Sequence, residues 1–233
     1  VRKVTVMKIR RKNHVGARLL LSIVFILTVT AAYFLGWSSL FTVRQVVIVG
    51  APNPAEGFVI ERSVPLGSKM ARLDTTALRH SLEKFSWLDH SNIRRNWLKG
   101  KVTVHVWTRT PIAQFQNHVV DRSGVVFDLP TVDTTGLTLI IAPNVNSTKF
   151  AAQLLSELSK QLHAQILSLE VHGNNFATLS IREPGKKRIV TLAWGDQSNT
   201  PFKVKVYQAL IALPENSTIT TIDLSAPHAP IVK

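Results

Sequence analysis

The stretch FTVRQVVIVG, residues Phe41–Gly50, begins the folded part of this 233-residue chain. Its apolar residues alternate with polar ones, which predicts a β-strand, and Val46 and Ile48 make the second half apolar on both faces. Such a pattern is expected where a strand enters the interior of a sheet. The first apolar face is predicted to hold Phe41, Val43, Val47 and Val49. Because a long apolar run ends only a few residues earlier, we expect a folded domain directly beside that run.

The apolar run, residues 19–37 with the sequence LLLSIVFILTVTAAYFLGW, contains no charged residue and no proline. As a helix it would rise roughly 28 Å, close to the ~30 Å hydrocarbon core of a bilayer. The residues before it carry seven Lys and Arg and no acid, half of the net charge of +14. The positive-inside rule then predicts a cytoplasmic tail over 1–18, a transmembrane helix over 19–37, and the remaining chain outside the cytoplasm.

A cleaved signal peptide is the alternative interpretation of this segment, because residues 29–32 include small side chains that suit a signal peptidase. The uncharged run continues past them to Leu40, which is longer than the apolar region of an ordinary signal peptide. We therefore expect an uncleaved anchor.

The composition excludes several kinds of chemistry. The chain has no cysteine, so disulfides and thiol catalysis are impossible. It contains no phosphate-binding loop, nucleophile elbow, zinc-protease motif or dinucleotide fingerprint. The histidines lack the spacing of metal ligands. We therefore expect no enzyme activity, no catalytic residue, no metal and no cofactor.

The first 70 residues of the predicted extracytoplasmic part have the order strand, helix, helix, strand, strand. A helix should run from Pro54 to about Val64, and Asp74 should cap a second one. A hairpin follows, with its turn at 96–100 and alternating valines on its second strand. The apolar stripe of the second helix comprises Leu78, Leu82 and Phe85, and the valines that should point inward are Val102, Val104 and Val106.

This order resembles a POTRA domain, and its motifs resemble those of the FtsQ/DivIB family of bacterial cell division proteins. Two positions depart from the family pattern: Leu98 stands where proline is usual, and Thr108 where glutamate is usual. The matching residues of the first strand are Phe41, Val43, Val46, Ile48 and Gly50; those of the hairpin and its exit are Ile93, Arg95, Trp97, Val106, Arg109, Pro111, Ile112 and Ala113.

The remaining sequence predicts a second, β-rich domain. Two short strands should flank a turn at Asp121–Gly124, and a helix capped by Ser147 should precede three strands, a last helix from Thr200, and a final strand, TITTIDLS. The predicted apolar faces are Phe150, Leu154, Leu158 and Leu162 in the first helix, and Phe202, Val206, Leu210 and Leu213 in the last. We therefore predict an α+β protein with a POTRA domain over 41–109 and a β domain over 110–233, the latter with helices on one face.

The resemblance implies a division scaffold at the septum, without nucleic-acid or small-molecule ligands. In the family, the last strand and tail form an exposed sheet edge that takes a strand from a partner. The implied partners are FtsB/DivIC-like and FtsL-like coiled-coil proteins and other components of the division complex. The corresponding residues here are Thr221, Ile222, Asp223, Leu224, Ser225, Ala229, Ile231, Val232 and Lys233. Pro227 and Pro230 lack an N–H donor. Pairing with a partner strand is then confined to residues 221–225 or to residues 231–233. Alternatively, the two prolines serve to block unwanted pairing of the tail.

Two other interpretations stay open. A basic cluster at the hairpin, formed by Arg94, Arg95, Lys99 and Lys101, is either a solvated turn or a contact with anionic lipid or wall polymers. A membrane-anchored cell-wall enzyme or polymer-binding module would instead use scattered acids, and its first candidates are Asp121, Asp128 and Asp133.

Overall fold

The computed structural model describes residues 15–37, 41–130, 133–173, 175–183 and 185–233; in the first helix, side chains are described at 16 and 18–34. This helix, α1, runs over Val15–Trp37. Residues 1–14 of the predicted basic tail lie outside the described residues. Over the described residues, no helix combines the length and the apolar character needed to cross a membrane, so the predicted span at 19–37 is not found.

A three-stranded sheet and two helices follow α1. The elements are β1 (Gln45–Val49), α2 (Pro54–Arg62), α3 (Thr75–Leu82), β2 (Leu88–Asn96) and β3 (Lys101–Thr108). The strand order is β1-β3-β2, with β1 parallel and β2 antiparallel to β3. The order β-α-α-β-β is thus the one that the sequence predicts, whereas assignment to the POTRA domains stays a prediction.

Local sequence signals determine where these helices begin. The Asn53 side chain accepts a hydrogen bond from the Glu56 N–H, and Asp74 accepts from the N–H groups of Thr76 and Ala77. Each side chain satisfies a donor that has no partner inside the helix. The predicted cap at Asp74 is therefore confirmed, and α2 ends two residues before its predicted end.

The first strand differs from its prediction. It begins at Gln45 rather than at Phe41, and Thr42 makes only an isolated bridge with Lys69. Val46 is buried in the core, and Val49 is exposed on the opposite face. The alternation read from Phe41 does not continue into the strand, because the residues before Gln45 are not paired with β3. The inward positions of the three β3 valines are confirmed.

The second sheet has nine strands in the described part of the chain, in the order β12-β11-β10-β9-β8-β7-β4-β5-β6. Its elements are β4 (Ala113–Phe115), β5 (His118–Val120), β6 (Val126–Phe127), β7 (Thr138–Ile141), α4 (Asn146–Glu157), α5 (Lys160–His163), β8 (Ile166–His172), β9 (Phe176–Arg182), β10 (Ile189–Gly195), α6 (Thr200–Ala212), a 3-10 turn (Pro214–Asn216), β11 (Thr221–Asp223) and β12 (Ile231–Val232).

Three predictions for this part are wrong in detail. Ser147 lies inside α4 and does not cap it; its own N–H is instead bonded to the Asn144 side chain. The single helix expected to reach Leu162 is divided into two helices, because Ser159 interrupts the helical run and caps α5. The face of α6 that is buried contains Lys203 and Tyr207, whereas Phe202 is exposed.

Two apolar cores lie beneath the two sheets. The larger one joins α4 and α6 to the nine-stranded sheet. The smaller one joins α2 and α3 to the three-stranded sheet, and it also contains Val119 and Phe127 from β5 and β6. The two sheets therefore share apolar contacts. The predicted boundary at 109/110 matches the change from one sheet to the other, although it stays a prediction as a domain limit.

Candidate partner-binding edge

Strand β12 is the outermost strand at one end of the nine-stranded sheet. It pairs with β11 in antiparallel fashion, and β11 in turn pairs with β10 in parallel fashion. The side chains of Ile231 and Val232 are 55% and 37% exposed. The described C-terminal region therefore offers a sheet edge with an apolar surface.

The hydrogen bonds of the last residues show which backbone groups face outward. Lys233 and Thr221 exchange two N–H···O bonds, of 2.9 and 3.0 Å. Val232 is opposite Ile222, and in an antiparallel ladder the pair next to a bonded pair points its N–H and C=O groups away from the partner strand. The N–H and C=O of Val232 therefore point to the free side. By the same alternation, the C=O of Pro230 also points to the free side.

The predicted edge residues divide into four groups. Thr221, Ile222 and Asp223 lie in β11, which has a neighbour on both sides and is no edge. Leu224 is fully buried, and its N–H is bonded to the Ala193 carbonyl. Ser225 and Ala229 lie in the connection between the strands, and only Ile231 and Val232, followed by Lys233, lie on the edge itself.

The connection from β11 to β12 is a bent loop, not a strand. Asp223 accepts hydrogen bonds from the hydroxyl and the N–H of Ser225, and these lower the pKa of its carboxyl group. The Ala229 N–H is bonded to the Ala226 carbonyl, and the His228 ring packs 4.8 Å from that of Phe202. The two prolines thus occur where the chain turns back to form β12.

A network centred on Glu183 and Arg188 supports β11 from one end. Arg188 forms an ion pair with Glu183, and its guanidinium donates to the carbonyls of Asn216, Ser217 and Ile219. Burial raises the pKa of Glu183, but its bonds with Lys186 and Arg188 outweigh this effect and lower it. Nothing in the sequence alone shows that Arg188 reaches the chain before β11.

Lys203 stabilises the C-terminal end of β10, the strand beside β11. Its ammonium group is fully buried and donates to the carbonyl oxygens of Trp194 and Asp196, at 2.8 and 2.9 Å, and to the Asp196 carboxylate. It thus fixes α6 to the end of β10, the strand on which β11 pairs. The sequence pattern of α6 gave no signal for this role.

The basic cluster at the β2–β3 hairpin is divided between two faces. Arg95 is opposite the buried Val102, and its guanidinium donates to the carbonyls of Met70 and Leu73. Arg94, Lys99 and Lys101 form no ion pair with any described residue. Arg95 is therefore a structural residue, and the other three remain candidates for contact with an anionic surface.

The three acids proposed for an alternative enzyme have structural roles. Asp121 lines a cleft of about 230 Å³, but its carboxylate accepts from Arg109 at 2.6 Å and from the Ser123 and Val125 backbone. Asp128 pairs with His118, and Asp133 accepts from the Thr135 N–H. Among the described residues, no group of three His, Asp or Glu side chains is placed to hold a metal ion.

Comparison with known proteins finds a match for most of the nine-stranded sheet. Residues 112–225 match the family model described as the C-terminal domain of the cell division protein FtsQ/DivIB. The chain is 31% identical over 87 residues to the cell division protein FtsQ of Thioalkalivibrio sp. (strain K90mix), which covers 36% of each chain. It is 28% identical over 112 residues to the cell division protein FtsQ of Zymomonas mobilis, which covers 46% of this chain and 35% of that relative.

The matched segments thus span about a third of the length of these curated relatives, 36% and 35%. The region matched by the family model contains the whole sheet from β4 to β11, together with Glu183, Arg188 and Lys203. Over residues 112–225, this chain is thus similar to the C-terminal domain of the FtsQ/DivIB cell division proteins.

Proposed function

We propose that this protein is a non-enzymatic scaffold of the bacterial division complex, which links early and late division proteins at the septum. Its partners would be FtsB/DivIC-like and FtsL-like proteins, bound at the C-terminal sheet edge. The observation that carries the proposal is β12, a short outermost strand whose Val232 backbone groups face outward. The name of the two relatives, cell division protein FtsQ, supports the same role.

Capture at this edge would occur by strand addition. An incoming strand can accept from the Val232 N–H and donate to the Val232 and Pro230 carbonyls, which continues the sheet. Ile231 and Val232 add exposed apolar surface on the two faces of the strand. Because Pro230 has no donor, the described edge supplies few hydrogen bonds, and we expect neighbouring side chains to contribute to affinity.

A proline at position 232 tests this mode of binding directly. Val232→Pro removes only an outward N–H, so the pairing of β12 with β11 stays intact. We expect the full-length variant to lose capture of the extracytoplasmic parts of FtsB/DivIC-like and FtsL-like proteins in a pull-down. Val232→Ala retains the N–H and should preserve most of the capture.

Two outcomes would contradict the edge as the binding site. The first is equal capture by the proline and alanine variants, and the second is undiminished capture by a chain that ends after Leu224. Circular dichroism of each variant verifies that the fold is retained. No capture by the unaltered chain, if folded, would contradict the scaffold role itself.

We also propose that the protein is membrane-associated through α1. Large apolar side chains on this helix are exposed on all sides; they are Leu19, Leu20, Leu21, Ile23, Val24, Phe25, Ile26, Leu27, Val29 and Phe34. A helix that is apolar all round requires an apolar environment. Alkaline carbonate extraction of membranes measures this: retention supports an embedded helix, release a peripheral one, and absence from membranes contradicts the proposal.

A further inference from the structure

The tip of the β2–β3 hairpin, residues 96–101, exposes an apolar side chain among basic ones. Leu98 is 90% exposed, more than any other large hydrophobic residue described. It lies between Trp97 and Lys99, at the position where proline is usual in the family. An isolated leucine on a surface needs no explanation, but one at the end of a rigid hairpin beside unpaired cations does.

The charge around this tip has one sign. Arg94 and Lys101 flank the turn, and with Lys99 they form no ion pair among the described residues. The sequence contains no acidic residue between Asp89 and Asp121. The tip therefore presents three available cations to any anionic surface.

The tip is held close to the end of α1. The Gly100 carbonyl accepts from the N–H groups of Arg44 and Gln45, at 2.7 and 3.1 Å, and the Trp97 ring packs 6.1 Å from that of Phe41. Four residue steps separate Phe41 from Trp37, the last residue of α1, so the two lie within about 14 Å of each other. The hairpin tip therefore stays beside the C-terminal end of the apolar helix.

We infer that the hairpin tip contacts the surface of an anionic lipid bilayer, with Leu98 inserted among the acyl chains and Arg94, Lys99 and Lys101 on the headgroups. The inference rests on the membrane association proposed for α1. Basic residues near such a surface are attracted to anionic lipids, and an apolar side chain adds transfer energy only when hydrocarbon is present. A soluble anionic polymer could bind the three cations, but it would offer the Leu98 side chain no apolar surroundings. The bilayer is therefore the occupant that matches both features.

The absence of cysteine makes a site-specific test possible. Full-length Leu98→Cys is labelled with an environment-sensitive nitrobenzoxadiazole dye and reconstituted in vesicles of phosphatidylcholine with phosphatidylglycerol, some lipids carrying bromine as a quencher. Ile26→Cys in α1 reports whether that helix is in the bilayer. Leu213→Cys, an exposed leucine after α6, is the matched control.

We expect quenching and a shift of emission to shorter wavelength at positions 98 and 26, and neither effect at 213. Lys99→Glu with Lys101→Glu should abolish the signal at 98 and leave that at 26 unchanged. Quenching at 26 without quenching at 98 overturns this inference alone. No quenching at 26 contradicts the membrane association, and this inference falls with it.

A soluble polyanion provides the remaining arm of the test. Polyphosphate added without lipid should leave the emission at position 98 unchanged. An equal shift with polyphosphate, or an equal signal in vesicles of phosphatidylcholine alone, would overturn the assignment to an anionic bilayer.

Discussion

The carboxylate of Asp121 has two roles: its charge pairs with Arg109, and its oxygens accept the hydrogen bonds that hold a turn. A substitution can separate these two roles. Burial raises its pKa, but hydrogen bonds from Ser123, Val125 and Arg109 outweigh this effect, and the pKa is lowered from its ordinary value of 3.8. A lowered pKa gives stability that is present above the ordinary value and is lost as the pH falls through the folded one. The contribution of Asp121 should therefore be complete at neutral pH.

Asp121→Asn keeps an oxygen for the turn but removes the charge that faces Arg109. We expect a loss of roughly 2–3 kcal/mol in the free energy of unfolding at pH 7, because a buried charged bond is broken. The difference from the unaltered chain should shrink as the pH falls below 3.8. Urea unfolding at several pH values measures it. Asp128→Asn, at an exposed ion pair, is the control and should change stability by less than about 1 kcal/mol. Equal losses in both variants would contradict this role.

Lys203 is a buried cation whose hydrogen bonds stabilise the end of β10. Lys203→Met leaves the carbonyls of Trp194 and Asp196 without this donor, so we expect a loss of about 2–4 kcal/mol in unfolding free energy. Lys205→Met, on the exposed side of the same helix, should have little effect. Denaturant unfolding followed by circular dichroism distinguishes them. A Lys203 variant as stable as the control would mean that the methionine repacks the site.

The end of β1 depends on the close approach of two strands. Gly50 and Gly67 both have positive φ, +92° and +77°. A Cβ at Gly50 would lie 2.2 Å from the Val106 carbonyl oxygen of β3, whereas one at Gly67 would meet open space. The pair therefore separates the cost of the backbone conformation from the cost of steric overlap.

We expect Gly67→Ala to destabilise the fold by about 1 kcal/mol, the cost of the left-handed conformation alone. Gly50→Ala should cost at least roughly 2 kcal/mol more, because β1 must move away from β3. Thermal unfolding of the two variants measures the difference. Equal melting temperatures would show that β1 can shift freely, contrary to the packing described.

The two sheets should unfold together. Phe127 belongs to β6 of the second sheet, yet its side chain is buried in the core beneath the first. Phe127→Ala creates a cavity in that shared core and should cost about 3–5 kcal/mol. Hydrogen exchange should show that β3 and β10 lose protection in step. Val125→Ala, at an exposed position nearby, is the control; loss of protection in β3 alone would contradict a shared unfolding unit.

Local patterns were sufficient for those elements whose physics is local. The cap at Asp74, the start of α6 at Thr200, the β2–β3 hairpin, the Asp121 turn and the strands β8, β9 and β10 follow from alternation, capping and turn chemistry. The sequence does not predict strands β4 and β7, because each is only three or four residues long and is stabilised by pairing with its neighbours in the sheet. The order β-α-α-β-β needed only the sequence.

The sequence by itself determined the order of the elements, the absence of cysteine chemistry, the family motifs and the location of the candidate edge near the C-terminus. Tertiary structure decided which residues form that edge: β11 is enclosed between two strands, and of these last two described strands β12 alone has outward backbone groups. It also decided that Arg95 binds the carbonyls of Met70 and Leu73 and that Lys203 and Arg188 are structural. These properties depend on which distant segments pair, because burial and free hydrogen-bonding groups arise from neighbours in space rather than along the chain.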